Sequence, residues 1–414
     1  MAKNSRSALV VGFNTRPLTY SLNKAGYDVY AVDFFGDLDL YPNVKDCLIV
    51  IKELETTYDL LKNKYSIFLA NLTIEILQKY PNIEYLIIGS GLDDAFEERE
   101  AILKEINKDQ YSIKNLNNSI ESIKIARNIE LVHNIMSSKG YKIPLTLPYE
   151  KIKSKENVLK YPFVIKKKTG AGGINVYRME NEGSLSSFLQ TQKMKGFKES
   201  EWLIQEYIEG IPVSCTIISN GEECEVISIN RQIIGLKFLN PPKEFMYCGN
   251  IVPAYLFKED EELISQISIT LAKELGLKGI NGFDFVLKNH NPYLMEINPR
   301  IPGSINVSET VLDLNLLNLY IQSFDGTKWE YIEKKLKSNK SKGFATKLIM
   351  FAPKEIYRDK IEQINQLENI HDKTEPKIIS KGEPICTILY KDKNFSRSFF
   401  GALKIADEIK KIIG

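Results

Sequence analysis

Histidine is nearly missing from this 414-residue chain: His133, His290 and His371 are the only three, and they lie far apart in sequence. A zinc centre built on imidazoles, or a Ser-His-Asp triad, is therefore disfavoured. Cysteine is scarce as well. Cys47, Cys215, Cys224, Cys248 and Cys386 are odd in number and scattered, with no CxxC pair, which is the usage of reduced thiols in cytoplasm. Neither sign of charge dominates, since 55 basic residues against 53 acidic ones leave a formal net charge of +2. That balance offers no footprint for a nucleic-acid backbone or an anionic membrane. No apolar run approaches the roughly 18 residues that a membrane span needs. The N-terminal "MAKNSRSALVVGFN" reads as a first β-strand, not a signal peptide. Two nucleotide signatures are also absent. GxxxxGK[ST] occurs nowhere, and the first turn, "GFNTR", lacks GxGxxG. NAD binding is rejected on that ground, and Asp33 is read as a loop or helix-capping acid.

What is present is a soluble composition, 43% hydrophobic and 26% charged, over a length that predicts two or three domains. Residues 7 to 35 alternate strand, helix, strand: "ALVVGF", then "RPLTYSLNKAGY" stopping at Gly26, then "DVYAVDFFGD". Further strands are expected at "CLIVI" (47–51), "IFLA" (67–70) and "YLIIGSG" (85–91), with a helix near 71–80. The alternation predicts a doubly wound parallel sheet over about the first 110 residues. Helix spacing of Ile125, Ile129, Val132 and Met136 predicts a helix over 120–139. "YPFVIKK", "NVYRM" and "EWLIQEYIEG" read as strands, and "PVSCTIIS" with "CEVISINRQ" reads as a hairpin around "NGEE". A helix is expected over 260–276, a charged linker at "EKKLKSNKSKG" (333–343), and a final unit of about 70 residues ending in an amphipathic helix.

The sharpest chemistry lies in "GINGFDFVLKNHNPYLMEINPRIPGS", residues 279–304. It reads as two strands around the turn "KNHNP". Strand side chains alternate faces, so Glu296 and Asn298 share one face while Met295 and Ile297 take the other. Folding back across the turn sets Asp284 opposite Glu296. Two facing carboxylates repel and resist burial. A hard divalent cation removes both problems, and Asp284, Glu296 and Asn298 offer the oxygens that suit Mg²⁺ or Mn²⁺. Arg300, on the same parity, is a planar cation suited to clamping a phosphate or acyl phosphate. An exposed edge with an Arg300–Glu296 salt bridge is the plainer reading, but the apolar flanks "FDFVL" and "YLMEI" argue against exposure.

A second feature precedes it. "YPFVIKKKTGAGGINVY" sets Lys166 and Lys168 at a strand end, followed by Gly170, Gly172 and Gly173. Such glycines let backbone N–H groups approach phosphate oxygens, and the lysine supplies a point charge. Taken alone, this stretch reads better as a flexible hairpin with solvated lysines; its order before the acidic strands changes that.

In order, a strand lysine before a glycine loop, "QEYIEG", and Asp…Glu-x-Asn-x-Arg resemble the ATP-grasp superfamily. The likeness is closest to the archaeal carboligase-like branch related to biotin carboxylase and carbamoyl-phosphate synthetase. It implies an α/β and α+β multidomain chain: a Rossmann-like pre-ATP-grasp domain (1–115), an ATP-grasp domain with antiparallel sheets (116–328, its lid at about 150–210), and a small α+β C-terminal domain (329–414). By the resemblance, Asp284 and Glu296 bridge two Mg²⁺ ions with Asn298 on one. Lys166 meets the α and β phosphates, and loop 169–174 closes over the β and γ phosphates. Glu206 accepts from the adenine amino group, and the backbone of Tyr207 and Ile208 reads the adenine edge. Arg300 stabilises the transferring phosphoryl group. Arg231, on a neighbouring strand, is a second anion contact or a surface arginine.

The implied reaction is ATP-dependent C–N bond formation through an acyl phosphate, between a small carboxylate and an amine. A cytoplasmic setting and a homodimer are the default expectations. Asn14, Arg16 and "GSGLDD" (89–94) are candidates to touch substrate. Carboxylase or carbamoyl-type chemistry and phosphoryl transfer remain the alternatives. Two departures bear on this. A second ATP lysine of many relatives is replaced here by Arg127 or Asn128. The position of the catalytic glutamate of biotin carboxylases holds Ser304.

Overall fold

The computed structural model describes residues 6–62, 64–153, 159–170, 172–193, 197–375 and 377–414. Its strands form three sheets. The first contains β1 (Ser7–Gly12), β2 (Asp28–Asp33), β3 (Asp46–Ile49), β4 (Tyr85–Ile88) and β5 (Lys114–Asn115), in the order β3-β2-β1-β4-β5. Every pairing in it is parallel. Ala8, Leu9, Val10 and Val11 are all fully buried because both faces of β1 are covered, and this makes the strand read as one continuous apolar run. Leu9 and Val11 pack toward the helices Tyr65–Lys79 and Phe96–Ile106. Ala8 and Val10 pack toward Arg16–Lys24 and toward the much later helices Leu316–Gln322 and Trp329–Ser338.

The second sheet is β6 (Thr146–Pro148), β7 (Phe163–Lys167), β8 (Val176–Met179) and β9 (Trp202–Glu206), ordered β6-β9-β7-β8 and antiparallel. The third has eight strands. They are β10 (Ile211–Asn220), β11 (Cys224–Ile234), β12 (Tyr247–Val252), β13 (Lys278–Lys288), β14 (Asn291–Asn298), β15 (Phe344–Phe351), β16 (Ile370–His371) and β17 (Pro384–Asp392). Their order is β14-β13-β10-β11-β12-β15-β17-β16. β12 pairs with β15 from Gly249↔Leu348 to Val252↔Ala345, so strands on either side of residue 328 belong to one continuous sheet. The architecture is the expected one, a parallel doubly wound sheet followed by antiparallel sheets.

Several local expectations are corrected. "IFLA" lies inside the helix Tyr65–Lys79, whose buried residues Leu69, Ala70, Thr73, Ile76 and Leu77 follow helical spacing. Four apolar residues are too short a window to separate the two periods. In "CLIVI" the strand ends at Ile49 and Val50–Glu53 is helical. The helix expected over 120–139 is two, Ile120–Arg127 and Ile129–Ser138. Asn128 divides them, its Oδ1 accepting the backbone N–H of Glu130 at 3.1 Å and of Leu131 at 3.2 Å, an N-cap made inside an apparently unbroken pattern. The linker at 333–343 begins inside the helix Trp329–Ser338, which Trp329 and Ile332 anchor to the core despite its lysines.

Candidate functional site

β13 and β14 form the hairpin that the turn chemistry predicts, with Asn289 and His290 both at positive φ in its turn. The register sets Asp284 beside Glu296 and Gly282 beside Asn298. It shifts between Asp284 and Phe285, leaving Met295 as the extra residue of a bulge. The Met295 carbonyl accepts from Lys166 Nζ at 3.4 Å, bringing the glycine-loop lysine to the acidic pair. Asn298 Nδ2 donates to Asp284 Oδ2 at 2.9 Å, and Gln232 Nε2 donates to Asp284 Oδ1 at 3.0 Å.

The electrostatics of the pair are unfavourable. Desolvation first, then the Glu296 carboxylate opposite, push Asp284 up to about 7, against the two amide donors. Such a carboxyl gains most from a cation. Among the described residues no three His, Cys, Asp or Glu side chains converge as a metal cluster. The available donor set is two carboxylates and one amide, whose oxygen and nitrogen are exchangeable by a flip. That all-oxygen set fits a hard divalent ion. Lys166 is drawn down to about 8, chiefly by burial and further by Arg127, with Glu296 opposing, so it remains largely cationic at neutral pH.

Arg127 is the centre of the arrangement. Its Nε and Nη2 donate to the two oxygens of Asp94 at 2.9 and 2.8 Å, its Nη2 also donates to the Gly170 carbonyl at 2.7 Å, and its Nη1 pairs closely with Glu296. Asp94 Oδ2 accepts the Gly170 N–H at 3.1 Å. Glycine loop, first sheet and acidic hairpin therefore meet on one guanidinium. Of the two residues left open, Asn128 caps a helix and Arg127 reaches the acidic pair and the glycine loop. The signal in sequence was the N-cap pattern, Asn two residues before Glu130.

Arg300 does not continue the strand parity. Its N–H bonds the Asn298 carbonyl at 2.8 Å in a tight turn, and its Nε pairs closely with Asp93. The "LDD" segment after β4 thus supplies one carboxylate to each site arginine. Arg231 is corrected by register. It stands beside Val213 and Ile251, and Val213 beside Phe285, which places it on the face opposite Asp284. The residues of β11 on the Asp284 face are Asn230 and Gln232. The alternation of polar and apolar positions in "INRQII" carried that information.

Of the loop residues, Ala171 lies outside the described residues. Gly170, Gly172 and Gly173 all have positive φ, and a Cβ on Gly173 would stand 1.8 Å from the Phe245 carbonyl oxygen. Lys168 is exposed and donates its N–H to the Glu201 carbonyl at 2.8 Å. Glu206 Oε2 accepts the Leu145 N–H at 3.2 Å, Tyr207 lies under the Arg178 guanidinium at 4.2 Å, and Ile208 is buried. Glu206 ends β9 and the other two follow it, and β9 pairs with the lysine strand β7. Asp33 is a loop cap, accepting from Thr15 N–H and hydroxyl at 2.6 and 2.8 Å and from the N–H groups of Phe35 and Gly36 at 2.9 and 2.7 Å.

His133 lies behind Lys166 on the helix Ile129–Ser138. Burial first, then Lys166, hold it down to about 4. Its unfolded-state value is near 6.5, so the unfolded chain takes up a proton between about pH 6.5 and 4 that the folded one refuses. Stability is expected to fall by about 3 kcal/mol as pH drops through that window. His133→Gln should flatten the slope in urea unfolding at pH 7 and 5; an unchanged slope would refute the assignment.

Residues 126–304 match the family described as ATP-grasp domain. The chain is 28% identical over 397 residues to an uncharacterized protein of Methanocaldococcus jannaschii, covering 93% of this chain and 88% of that one. A tyramine–L-glutamate ligase of the same organism is 29% identical over 269 residues, 64% of this chain and 70% of the ligase. Among solved structures, an L-amino acid ligase from Bacillus licheniformis superposes with a TM-score of 0.69 at 15% identity, covering 98% of both chains.

Proposed function

We propose that this chain is an ATP-dependent carboxylate–amine ligase that forms a C–N bond through an acyl phosphate and releases ADP and phosphate. The observation that carries the reading is the facing pair Asp284 and Glu296, joined through Met295 and Arg127 to Lys166 and the glycine loop. Asp284, Glu296 and Asn298 would hold Mg²⁺ or Mn²⁺, two ions by analogy. When bound, the metal supplies charge neutralisation at the transferring phosphoryl group. Lys166, Lys168 and the loop at Gly170, Gly172 and Gly173 bind the phosphates. Glu206, Tyr207 and Ile208 receive the adenine. Arg300, held in place by Asp93, clamps the acyl phosphate. No side-chain nucleophile is required, in keeping with buried cysteines whose thiols burial pushes well up, Cys215 to about 12. The proposed setting is cytoplasmic, as a homodimer acting on small molecules. No helix among the described residues is long and apolar enough to cross a membrane.

Carboxylase-type chemistry is the weaker reading because Ser304, at the position of the biotin-carboxylase glutamate, is spent on accepting from Asn230 Nδ2 at 3.1 Å. The test is an ADP-release screen with pooled carboxylates and amines. Release that requires both partners supports the ligase. A stable phosphoester product, or release indifferent to the amine, would overturn it. Gly173→Ala checks the loop assignment separately. The added Cβ displaces the loop from Phe245, and KM for ATP should rise about tenfold in steady-state kinetics.

A further inference from the structure

Beyond the phosphate-handling end, polar groups from four parts of the chain gather beside the helix Ile305–Leu312. Lys347 on β15 is 5% exposed, and its Nζ donates to the Gly303 carbonyl at 2.9 Å. Asn250 on β12 is its cross-strand neighbour and is 1% exposed. Asn306, at the start of the helix, is 9% exposed. From the turn and helix that follow β1, Arg16 Nε donates to Asp372 Oδ1 at 2.8 Å, and Asn14 also hydrogen-bonds Asp372, whose charge is felt by Lys347.

This junction leaves its hydrogen bonding incomplete. Among the described residues, Asn250 Nδ2, both amide atoms of Asn306, Asn230 Oδ1 and Asn14 Oδ1 are buried without a partner. Asp37, half-buried among Asp372, Asp33 and Asp39 with Arg16 as its nearby cation, has no ion pair or side-chain hydrogen bond among the described residues. Each unmet buried group costs about 1–3 kcal/mol, and a native site tolerates several together when a ligand meets them. The demands have two signs. Lys347, Asn250 Nδ2 and Asn306 Nδ2 want an acceptor with negative charge. Asp37 and the oxygens of Asn14 and Asn306 want a cationic donor.

We propose that this junction binds the α-carboxylate and α-ammonium of a free amino acid, whose side chain reaches toward Asp284 and carries the reacting group. The proposal rests on the ligase reading and names its substrate class. The distance supports it. Gln232, which touches Asp284, pairs with Asn250, and Asn250 pairs with Lys347. Lys347 therefore lies two strand spacings, roughly 10 Å, from Gln232. A head group held there leaves only the end of a side chain able to reach the metal-binding pair.

The test is calorimetric titration of the wild-type protein, with and without magnesium and a non-hydrolysable ATP analogue. The probes are glutamate and lysine together with their truncated forms: glutarate and 6-aminohexanoate lacking the α-ammonium, 4-aminobutyrate and 1,5-diaminopentane lacking the α-carboxylate. One parent amino acid should bind, and each truncation should weaken it at least tenfold. Lys347→Met should weaken the parent to the level of its decarboxylated form while leaving that form's affinity unchanged. A merely structural lysine would weaken both alike, and that result overturns the proposal. Asn306→Leu should abolish amino-acid binding while the midpoint of thermal unfolding holds or rises; retained binding overturns it. Nucleotide binding with no response to either amino acid also overturns it and leaves the ligase reading intact. Amino-acid binding without nucleotide binding upholds the subsite and sinks the ligase reading.

Discussion

Glu296→Gln is expected to reduce ATP turnover by roughly a thousandfold or more while the protein stays folded. The substitution keeps the size of the side chain but removes one of the two charges available to a divalent ion. A metal bound at a transferring phosphoryl group contributes several kcal/mol of transition-state stabilisation, and about 4 kcal/mol corresponds to three powers of ten. The fold should tolerate the change because Glu296 is a source of strain. It stands opposite Asp284 in register and helps push that carboxyl up to about 7. Losing its charge relieves Asp284 and releases one arm of Arg127, which keeps both hydrogen bonds to Asp94. Single-turnover ADP formation and thermal unfolding, measured on the same preparation, decide it. Near-normal turnover would end the metal assignment, and loss of the cooperative transition would show that Glu296 is structural. Titrating turnover against Mg²⁺ adds a second check, since a weakened site demands more metal before reaching any given rate.

The acidic hairpin was legible in sequence because a single rule generates it. Strand parity plus a turn of Asn, His and Asn fixes which side chains share a face, and one bulge at Met295 did not disturb the Asp284–Glu296 pair. Parity failed once and went unused once, for identifiable reasons. At Arg300 the chain had already left the strand in a turn at Asn298, so the guanidinium went to Asp93. Arg231 was selected for its charge, whereas the register selects Gln232. The four-residue run "IFLA" went wrong because helix and strand look alike over so short a span. Arg16 and the "GSGLDD" carboxylates Asp93 and Asp94 were singled out only as substrate candidates, while their pairing with Asp372, Arg300 and Arg127, and the part of Lys347, were not legible. These residues converge only when the first sheet docks on the third, and no local period encodes contacts such as Arg16 with Asp372, 356 residues apart.

Arg127 and Asn128 are adjacent, and the sequence could not say which one serves the nucleotide; substitution separates them. Arg127→Lys keeps the charge but loses the fork that simultaneously grips Asp94, Glu296 and Gly170. A lysine is a single point donor and cannot hold three acceptors in one plane. Two charge-assisted hydrogen bonds at about 1.5 kcal/mol each correspond to a fall of roughly a hundredfold in kcat/KM for ATP. Much of the loss should appear as a higher KM, because the glycine loop is no longer held over the acidic pair. Asn128→Ala removes only the N-cap of the helix Ile129–Ser138. It should cost about 1 kcal/mol in urea unfolding with KM for ATP unchanged. If the two effects are exchanged, with the alanine variant losing nucleotide affinity and the lysine variant losing only stability, then Arg127 is a structural tie between the first sheet and the hairpin. The phosphates would then be left to Lys166 and the loop alone.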